Sequence, residues 1–324
     1  MKPKCLITLE LPDDIRAPLE QRYEVLTWPG PERLSEQVLG ELLSATEGLL
    51  CALSKPISAS LLNSAKALKV VSTISVGVDH IDLAAATRKG IAVGHTPGVL
   101  VDSTADLALA LMLGVTRRVA EADRWIRGAN WTQGWQSDLL LGTDLSQAKV
   151  GVVGLGPIGE AVARLGLALG MNVTGFRRTP QGTEPCKALP MSSLAECLPG
   201  FDAVVVAVPL TDATNNLFDA SAFSCFKPGA FFVNVARGGV VEEEALIAAL
   251  ESGQVGGAGL DVFREEPLGP ESPLWMLPNV LITPHSAGTN PGNHIRASRL
   301  FIENLGRYAR GEALCNEVGL AGVR

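Results

Sequence analysis

Residues 150–159 read VGVVGLGPIG. Gly154, Gly156 and Gly159 stand at the G-x-G-x-x-G spacing of a loop that binds the pyrophosphate of a dinucleotide. A chain with 34 glycines can reach that spacing by accident, so the flanks matter. An apolar run, KVGVV (149–153), comes before it. Behind it Ile158, Ala161, Val162 and Leu165 recur at helical spacing, with Gly170 as a stop. Gly154 permits the tight turn, Gly156 lets the pyrophosphate reach the backbone, and Gly159 lets the helix pack on the strand. The unpaired N–H groups at the helix start, where Leu155, Pro157 and Ile158 stand, then bind the anion. Pro157 suits a first helical turn, where a missing N–H costs little. The alternative is a tight turn without a ligand, and the flanks on both sides favour the ligand.

Outward from this loop, short apolar runs alternate with helical patterns. KVGVV, MNVTGF, DAVVVAV, AFFVNV, GAGLDVF and NVLIT read as strands of one unit. CLITL, YEVLTW, GLLCAL, KVVSTI and IAVGHT read as strands of another, with ISASLLNSAKAL among the helical stretches between them. Near-continuous apolar strands separated by helices indicate parallel sheets covered on both faces. The expectation is an α/β fold of two doubly wound parallel-sheet domains. A long helix is predicted over residues 103–127, followed by a stretch bearing Trp125, Trp131 and Trp135. A last helix is predicted over residues 291–310.

Composition narrows the function. The chain has 324 residues, enough for two domains, 47% of them apolar and 19% charged. A net charge of −7 without a long basic run argues against nucleic acid or an anionic membrane as main partner. The opening MKPKCLITLE lacks a cleavable signal pattern, and no apolar run is long enough for a membrane span. The cysteines, Cys5, Cys51, Cys186, Cys197, Cys225 and Cys315, show no CxxC spacing and read as free thiols of a cytoplasmic protein. His80, His95, His285 and His294 show no metal-ligand spacing, so no metal is expected.

The strand after the loop helix ends in VTGFRRTP (173–180). Dinucleotide sites often place an acidic residue there to hold the ribose hydroxyls. Arg177 stands at that position instead, followed by Arg178 and Thr179, and no Asp or Glu appears until Glu184. A carboxylate would repel a 2′-phosphate, whereas a guanidinium pairs with it. The expectation is NADP(H) in preference to NAD(H), with NAD(H) as the alternative. The bland reading is that both arginines are solvated surface.

Three later stretches join a strand end to a charged residue: NVARGG (234–239), GLDVFREEP (259–267) and ITPHSAG (282–288). Strand carboxyl ends of a doubly wound sheet border the ligand crevice, so Arg237, Asp261, Glu266 and His285 are expected near one site. An imidazolium can give a proton to the oxygen of a ketone under reduction. A neighbouring glutamate favours that charged form. An arginine can hold a substrate carboxylate. His285 alone would read as a structural histidine; the two matching strand ends change that.

With these motifs in place, the chain resembles the D-isomer-specific 2-hydroxyacid dehydrogenases over nearly its whole length. GLGPIG, NVARGG, GLDVFREEP and TPH occur in that family's order and spacing. STISVGVDHID (72–82) and the arginine pair resemble the glyoxylate/hydroxypyruvate reductase branch, which includes 2-ketogluconate reductases. The resemblance implies that Arg237, Glu266 and His285 are catalytic and that Asp261 holds the nicotinamide carboxamide. It implies that the Val76 and Gly77 amides receive the substrate carboxylate and that Leu53 lines the substrate pocket. Thr104 is implied near the nicotinamide, Val208 and Pro209 near the adenosine, and Ala236 among the cofactor-binding residues. The implied domains are a flavodoxin-like substrate domain, 1–101 plus 287–324, and a Rossmann cofactor domain, 102–286, with a cleft between them. A homodimer is implied, with the long helix and its tryptophans as its arm and Trp135 reaching the partner's active site. After His285 this chain departs from the branch: SAGTNPGNHIR carries Asn290, Pro291, His294 and Arg296 where relatives have a glycine-serine-alanine-threonine run. Arg296 reads either as a contact for a second anionic group or as surface.

The expected activity is NADPH-dependent reduction of small 2-keto acids such as glyoxylate, hydroxypyruvate and 2-ketogluconate to D-2-hydroxy acids. One rival is an NAD-dependent dehydrogenase acting oxidatively on a larger or phosphorylated hydroxy acid. A second, of another class, is a dinucleotide-sensing interaction protein without significant turnover.

Overall fold

A computed structural model describes residues 2–28, 35–52 and 56–318. The chain divides into two compact units, one of Met1–Leu100 with Gly288–Arg324 and one of Val101–Ala287. Both are built on sheets whose strands all run parallel.

In the first unit the strands are β1 (Lys4–Ile7), β2 (Glu24–Thr27), β3 (Gly48–Cys51), β4 (Val70–Thr73) and β5 (Ala92–Gly94). They are interleaved with α1 (Asp13–Arg22), α2 (Glu36–Leu43), α3 (Ala59–Ser64) and α4 (Leu83–Arg88). The sheet order is β2-β1-β3-β4-β5. Side chains alternate across a strand, so Leu49 and Cys51 enter the core under α2, α3 and α4, while Leu50 points to the other face. There it meets Leu19 of α1 together with Phe301 and Leu305 of the last helix, α11 (Pro291–Ala309). Asn290 caps α11, accepting from the Asn293 amide at 2.8 Å, and Pro291 occupies its first turn.

The second unit opens with α5 (Val101–Thr116) and α6 (Val119–Arg127). It continues with β6 (Lys149–Val153), α7 (Pro157–Ala168), β7 (Asn172–Arg177), β8 (Lys187–Pro190), α8 (Leu194–Cys197), β9 (Ala203–Val206) and α9 (Ala220–Ser224). It closes with β10 (Ala230–Asn234), α10 (Glu243–Glu251), β11 (Val255–Leu260) and β12 (Val280–Ile282). The sheet order is β12-β11-β10-β9-β6-β7-β8. Val205 and Ala203 feed a core with Leu111 of α5 and Val162 of α7. Val204 and Val206 feed the opposite core, with Phe223 of α9 and Leu246 of α10. The inner strands bury both of their faces, and the apolar runs in the sequence follow from that.

Two elements differ from the sequence expectation. The helix predicted over 103–127 is broken in two at Arg118, whose φ of 53° is left-handed. There the Arg118 guanidinium donates through Nε and Nη2 to the two oxygens of Glu121, both at 2.7 Å, at the start of α6. Thr143 also donates its amide to the Thr116 carbonyl at 2.9 Å, ending α5. The sequence reading missed β8, an edge strand of KALP with a proline at its end and no fully buried residue.

Candidate active site

In sheet order, β9, β6 and β7 lie side by side, and so do β10, β11 and β12. All are parallel, so their carboxyl ends share one edge. The glycine loop and Arg177 follow β6 and β7. Arg237, Asp261 and His285 follow β10, β11 and β12.

At the end of β6 the glycine loop turns into α7. Gly154 has φ of 103°, and Gly156 begins α7 without a side-chain cap. A Cβ on Gly159 would lie 1.9 Å from the Gly154 carbonyl oxygen, so any side chain would push α7 off the strand. A Cβ on Gly156 would meet nothing within 4 Å. Close packing at one glycine and open space at the other fit a pyrophosphate laid on the helix start, where the first amides lack intrahelical partners. Leu155 plays a different part from its neighbours. It is 2% exposed, its side chain packs over Gly175, and its amide donates to the Phe176 carbonyl at 2.9 Å. It gives the turn its packing, and the structure does not bring its side chain to the ligand face.

Arg177 ends β7 with its side chain 22% exposed. Its Nη1 lies 3.1 Å from Glu184 Oε1 and 3.8 Å from Glu160 Oε1. Arg178 and Thr179 are exposed. Val208 is buried and Pro209 exposed after β9. Thr104 on α5 and Ala236 after β10 are buried.

The three other strand ends form a connected set. Buried Asn234 accepts from the Ala236 amide at 3.0 Å and donates through Nδ2 to the Arg237 carbonyl at 3.0 Å, shaping the turn that carries Arg237. The Arg237 guanidinium donates to the Ala236 carbonyl at 2.8 Å. Next to it, Gly238 packs so closely that a Cβ would fall 1.9 Å from the Phe263 carbonyl. That contact presses the arginine turn against the loop bearing Glu266. Glu266 Oε1 accepts the Phe263 amide at 3.0 Å, and Oε2 lies 2.7 Å from His285 Nδ1. Burial pushes the Glu266 carboxyl up. The hydrogen bonds from His285 and Phe263, and the charges of His285 and Arg237, outweigh it and hold the group below its ordinary value. With the carboxylate ionised, the shared proton belongs to Nδ1, so Nε2 is the nitrogen that exchanges protons with a ligand.

His285 adopts a left-handed backbone with φ of 52°. Asp261 holds it there. Its carbonyl accepts the His285 amide at 2.8 Å. Its Oδ1 accepts from Thr283 Oγ1 at 2.6 Å and the Ser286 amide at 2.8 Å, and its Oδ2 accepts the Ala287 amide at 2.9 Å. Asp261 is 0% exposed. In this structure its carboxylate is the keystone of the histidine turn. Thr283, Asn234 and Gly238 were missed in the sequence. All three lie inside the motifs quoted above, NVARGG and ITPHSAG, and that placement is the signal that could have found them.

In the first unit, Val76 and Gly77 lie in the loop after β4. His95 Nδ1 is 2.8 Å from the Val76 carbonyl, and Ser75 Oγ donates to the Gly77 carbonyl at 2.7 Å. His95 thus has a structural role. Arg296 donates to Asn293 Oδ1 and to the Val99 carbonyl, the latter at 3.5 Å, and its bonds fasten the start of α11. Leu53 lies outside the described residues. Trp135 is 84% exposed, and α6 buries none of its residues. The six cysteines are free thiols.

A family profile described as "D-isomer specific 2-hydroxyacid dehydrogenase, NAD binding domain" matches residues 109–287. The chain is 37% identical over 316 residues to a glyoxylate reductase of Korarchaeum cryptofilum, covering 96% of this chain and 94% of the relative. It is 40% identical over 332 residues to the glyoxylate reductase/hydroxypyruvate reductase of Mus musculus, covering 99% and 100%. Among solved structures, a Thermus thermophilus protein superposes with a TM-score of 0.91 at 41% identity, covering 98% of this chain and 100% of the other. The NADPH-dependent glyoxylate/hydroxypyruvate reductase of Sinorhizobium meliloti, in complex with NADP and malonate, superposes with a TM-score of 0.87 at 30% identity, covering 100% and 99%.

Proposed function

The chain belongs to the D-isomer specific 2-hydroxyacid dehydrogenase family, and on that premise we propose that it reduces small 2-keto acids, glyoxylate and hydroxypyruvate first, with NADPH. The single observation that carries the chemistry is the 2.7 Å contact between His285 Nδ1 and Glu266 Oε2 beside the Arg237 turn.

Gly154, Gly156 and Gly159 with the start of α7 would hold the pyrophosphate, and Arg177, Arg178 and Thr179 the 2′-phosphate. Val208 and Pro209 would border the adenosine, and Thr104, Ala236 and Asp261 the nicotinamide end. When bound, the reduced coenzyme supplies a hydride, two electrons with one proton, to C2 of the keto acid. The chain's own residues do the rest. Arg237 orients the acid and draws electron density toward the carbonyl oxygen. The Val76 and Gly77 amides receive the carboxylate. His285, doubly protonated, gives its Nε2 proton to the oxygen as charge develops there, and ends neutral. Glu266 keeps the Nδ1 proton in place and stabilises the cationic ring before transfer.

Dimerisation belongs to the same proposal. Val119, Ile126, Trp131 and Trp135 are exposed at 57%, 46%, 55% and 84%, an apolar surface suited to a second copy. No helix among the described residues is long and apolar enough to cross a membrane. A cytoplasmic location remains part of the proposal.

The NAD-dependent oxidative reading is the second one, and the Arg177–Glu184 ion pair favours it in its choice of coenzyme, since the guanidinium already has an anionic partner. Steady-state oxidation of NADPH and of NADH over a panel of 2-keto acids tests both. The proposal expects turnover of glyoxylate and hydroxypyruvate with NADPH preferred, and Arg177→Asp to shift the preference toward NADH. Preference for NADH in the unaltered protein would favour the second reading. Coenzyme binding without turnover of any keto acid would point to a sensing protein instead.

A further inference from the structure

Arg177 does not stand alone at the tip of β7. Glu184 has its side chain 2% exposed and meets the guanidinium at 3.1 Å. Its Oε1 also accepts the Gln181 amide at 2.6 Å, and its Oε2 the Gly182 amide at 2.7 Å. Two backbone amides and a guanidinium converging on one anion make the donor set that a phosphoryl group uses. Here a carboxylate of the chain itself takes it. On the other side, Glu160 of α7 lies 3.8 Å from the same Nη1 and 3.0 Å from Arg164 Nη2. The hydrogen bond from the Gln181 amide is the largest influence on Glu184; with the Gly182 amide and the Arg177 charge it holds the carboxyl below its ordinary value, against the effect of burial. Glu184 is therefore an anion across the neutral pH range.

We propose that Glu184, with Glu160 behind it, is a specificity-determining carboxylate that competes with the coenzyme 2′-phosphate for Arg177 and moderates the preference for NADPH over NADH. The proposal rests on the reading that Arg177 receives that phosphate. A phosphate arriving at Arg177 must displace Glu184 or share the guanidinium with it. In either case a negative charge a few ångströms away opposes the phosphate. A coenzyme without the 2′-phosphate meets no such opposition. The effect depends on charge; Glu184→Gln removes it at the cost of one loop bond, since its NH2 must face the Gly182 amide, whereas Glu160→Gln removes charge without touching that loop. If Glu184 only shaped the loop, its loss would weaken the phosphate site; if it competes, its neutralisation strengthens that site.

The test is calorimetric binding of adenosine 2′,5′-bisphosphate and of AMP to the full-length protein, neither of which requires turnover. Glu184→Gln is expected to tighten the bisphosphate about three- to ten-fold and to move AMP less than about two-fold. Glu160→Gln, on the face of a helix, is expected to tighten the bisphosphate by about two-fold and serves if the first variant does not fold. Unchanged or weaker bisphosphate binding in the folded Glu184→Gln protein overturns the proposal, as does the absence of any gain in Glu160→Gln where that variant carries the test. Arg177→Gln separates the two layers. If it leaves the ratio of bisphosphate to AMP affinity unaltered, the phosphate reading fails and this inference with it. If it collapses the ratio and the glutamate variants bring no gain, only the competition fails.

Discussion

Asp261→Asn is the sharpest test of the site's construction. The native carboxylate, itself out of solvent, accepts from one hydroxyl and two backbone amides at 2.6 to 2.9 Å. An asparagine of the same shape has one acceptor oxygen and an NH2 group. Thr283 can rotate its hydroxyl and accept from that NH2. One of the Ser286 and Ala287 amides then faces a donor and loses its partner. An unsatisfied buried amide costs about 1–3 kcal/mol, and the remaining bonds fall from charge-assisted to neutral strength. The sum is about 2–4 kcal/mol. For a unit the size of Val101–Ala287 that lowers Tm by about 5–15 °C. The same loss releases His285 from a left-handed backbone that costs about 1–2 kcal/mol to hold. The ring then leaves its productive position, and kcat for glyoxylate falls at least about ten-fold, since small misplacements are costly in proton transfer. Calorimetric melting and steady-state kinetics at neutral pH read the two effects. A variant that melts within about 1 °C of the parent with unchanged kcat would refute the keystone role.

Three further outcomes follow from the same geometry. His285→Gln should lose about 10²–10⁴-fold in kcat while still binding coenzyme, measured by fluorescence titration; loss of coenzyme binding would mean that the ring is structural. Glu266→Gln should lower kcat and flatten the acid side of the stability profile. The folded Glu266 carboxyl lies below its ordinary 4.5, so its contribution is full above that value and is lost as pH falls through the lowered one; Tm differences between parent and variant should therefore be largest at neutral pH and vanish in strong acid. Gly159→Ala places a methyl 1.9 Å from the Gly154 carbonyl and should abolish coenzyme binding, with a lower Tm, in a thermal-shift assay with and without NADPH.

What could be read from the sequence was what hydrophobicity and glycine spacing encode. The eleven apolar runs named as strands each overlap one, because strands inside a covered parallel sheet are apolar throughout. The glycine loop was legible because a turn between strand and helix has few solutions. Features resting on backbone donors were not legible. That Asp261 holds a turn depends on the amides of Ser286 and Ala287, 25 and 26 residues further on, and amides have no letter of their own. The break at Arg118 has no glycine or proline to announce it; an arginine takes the left-handed position and is held by Glu121. Leu155 sits inside the fingerprint yet faces inward, since spacing specifies a loop and not the direction of each side chain. Glu184 was noticed only as the first acid after the arginines, although the loop between folds it back onto Arg177.

Asp261 and Glu266 show how one functional group is given two tasks by its surroundings. Both are carboxylates in the six residues that follow β11. Asp261 is sealed from solvent and meets donors that cannot change their protonation: two amides and a hydroxyl. It has no titratable partner among those bonds and so suits a fixed support. Glu266 has its side chain 35% exposed, and it spends one oxygen on the Phe263 amide and the other on a histidine. The amide fixes its place, while the imidazole leaves it coupled to a proton that can move. Exchanging the two residues' environments would yield a rigid carboxylate with nothing to tune and a tuned one with nothing to hold it. The division also orders the failures: damage at Asp261 should appear first as lost stability with activity following, and damage at Glu266 first as lost activity with a smaller fall in Tm. A Glu266 variant that melts as low as Asp261→Asn would overturn this division, because it would mean that the histidine turn depends on both carboxylates for its shape.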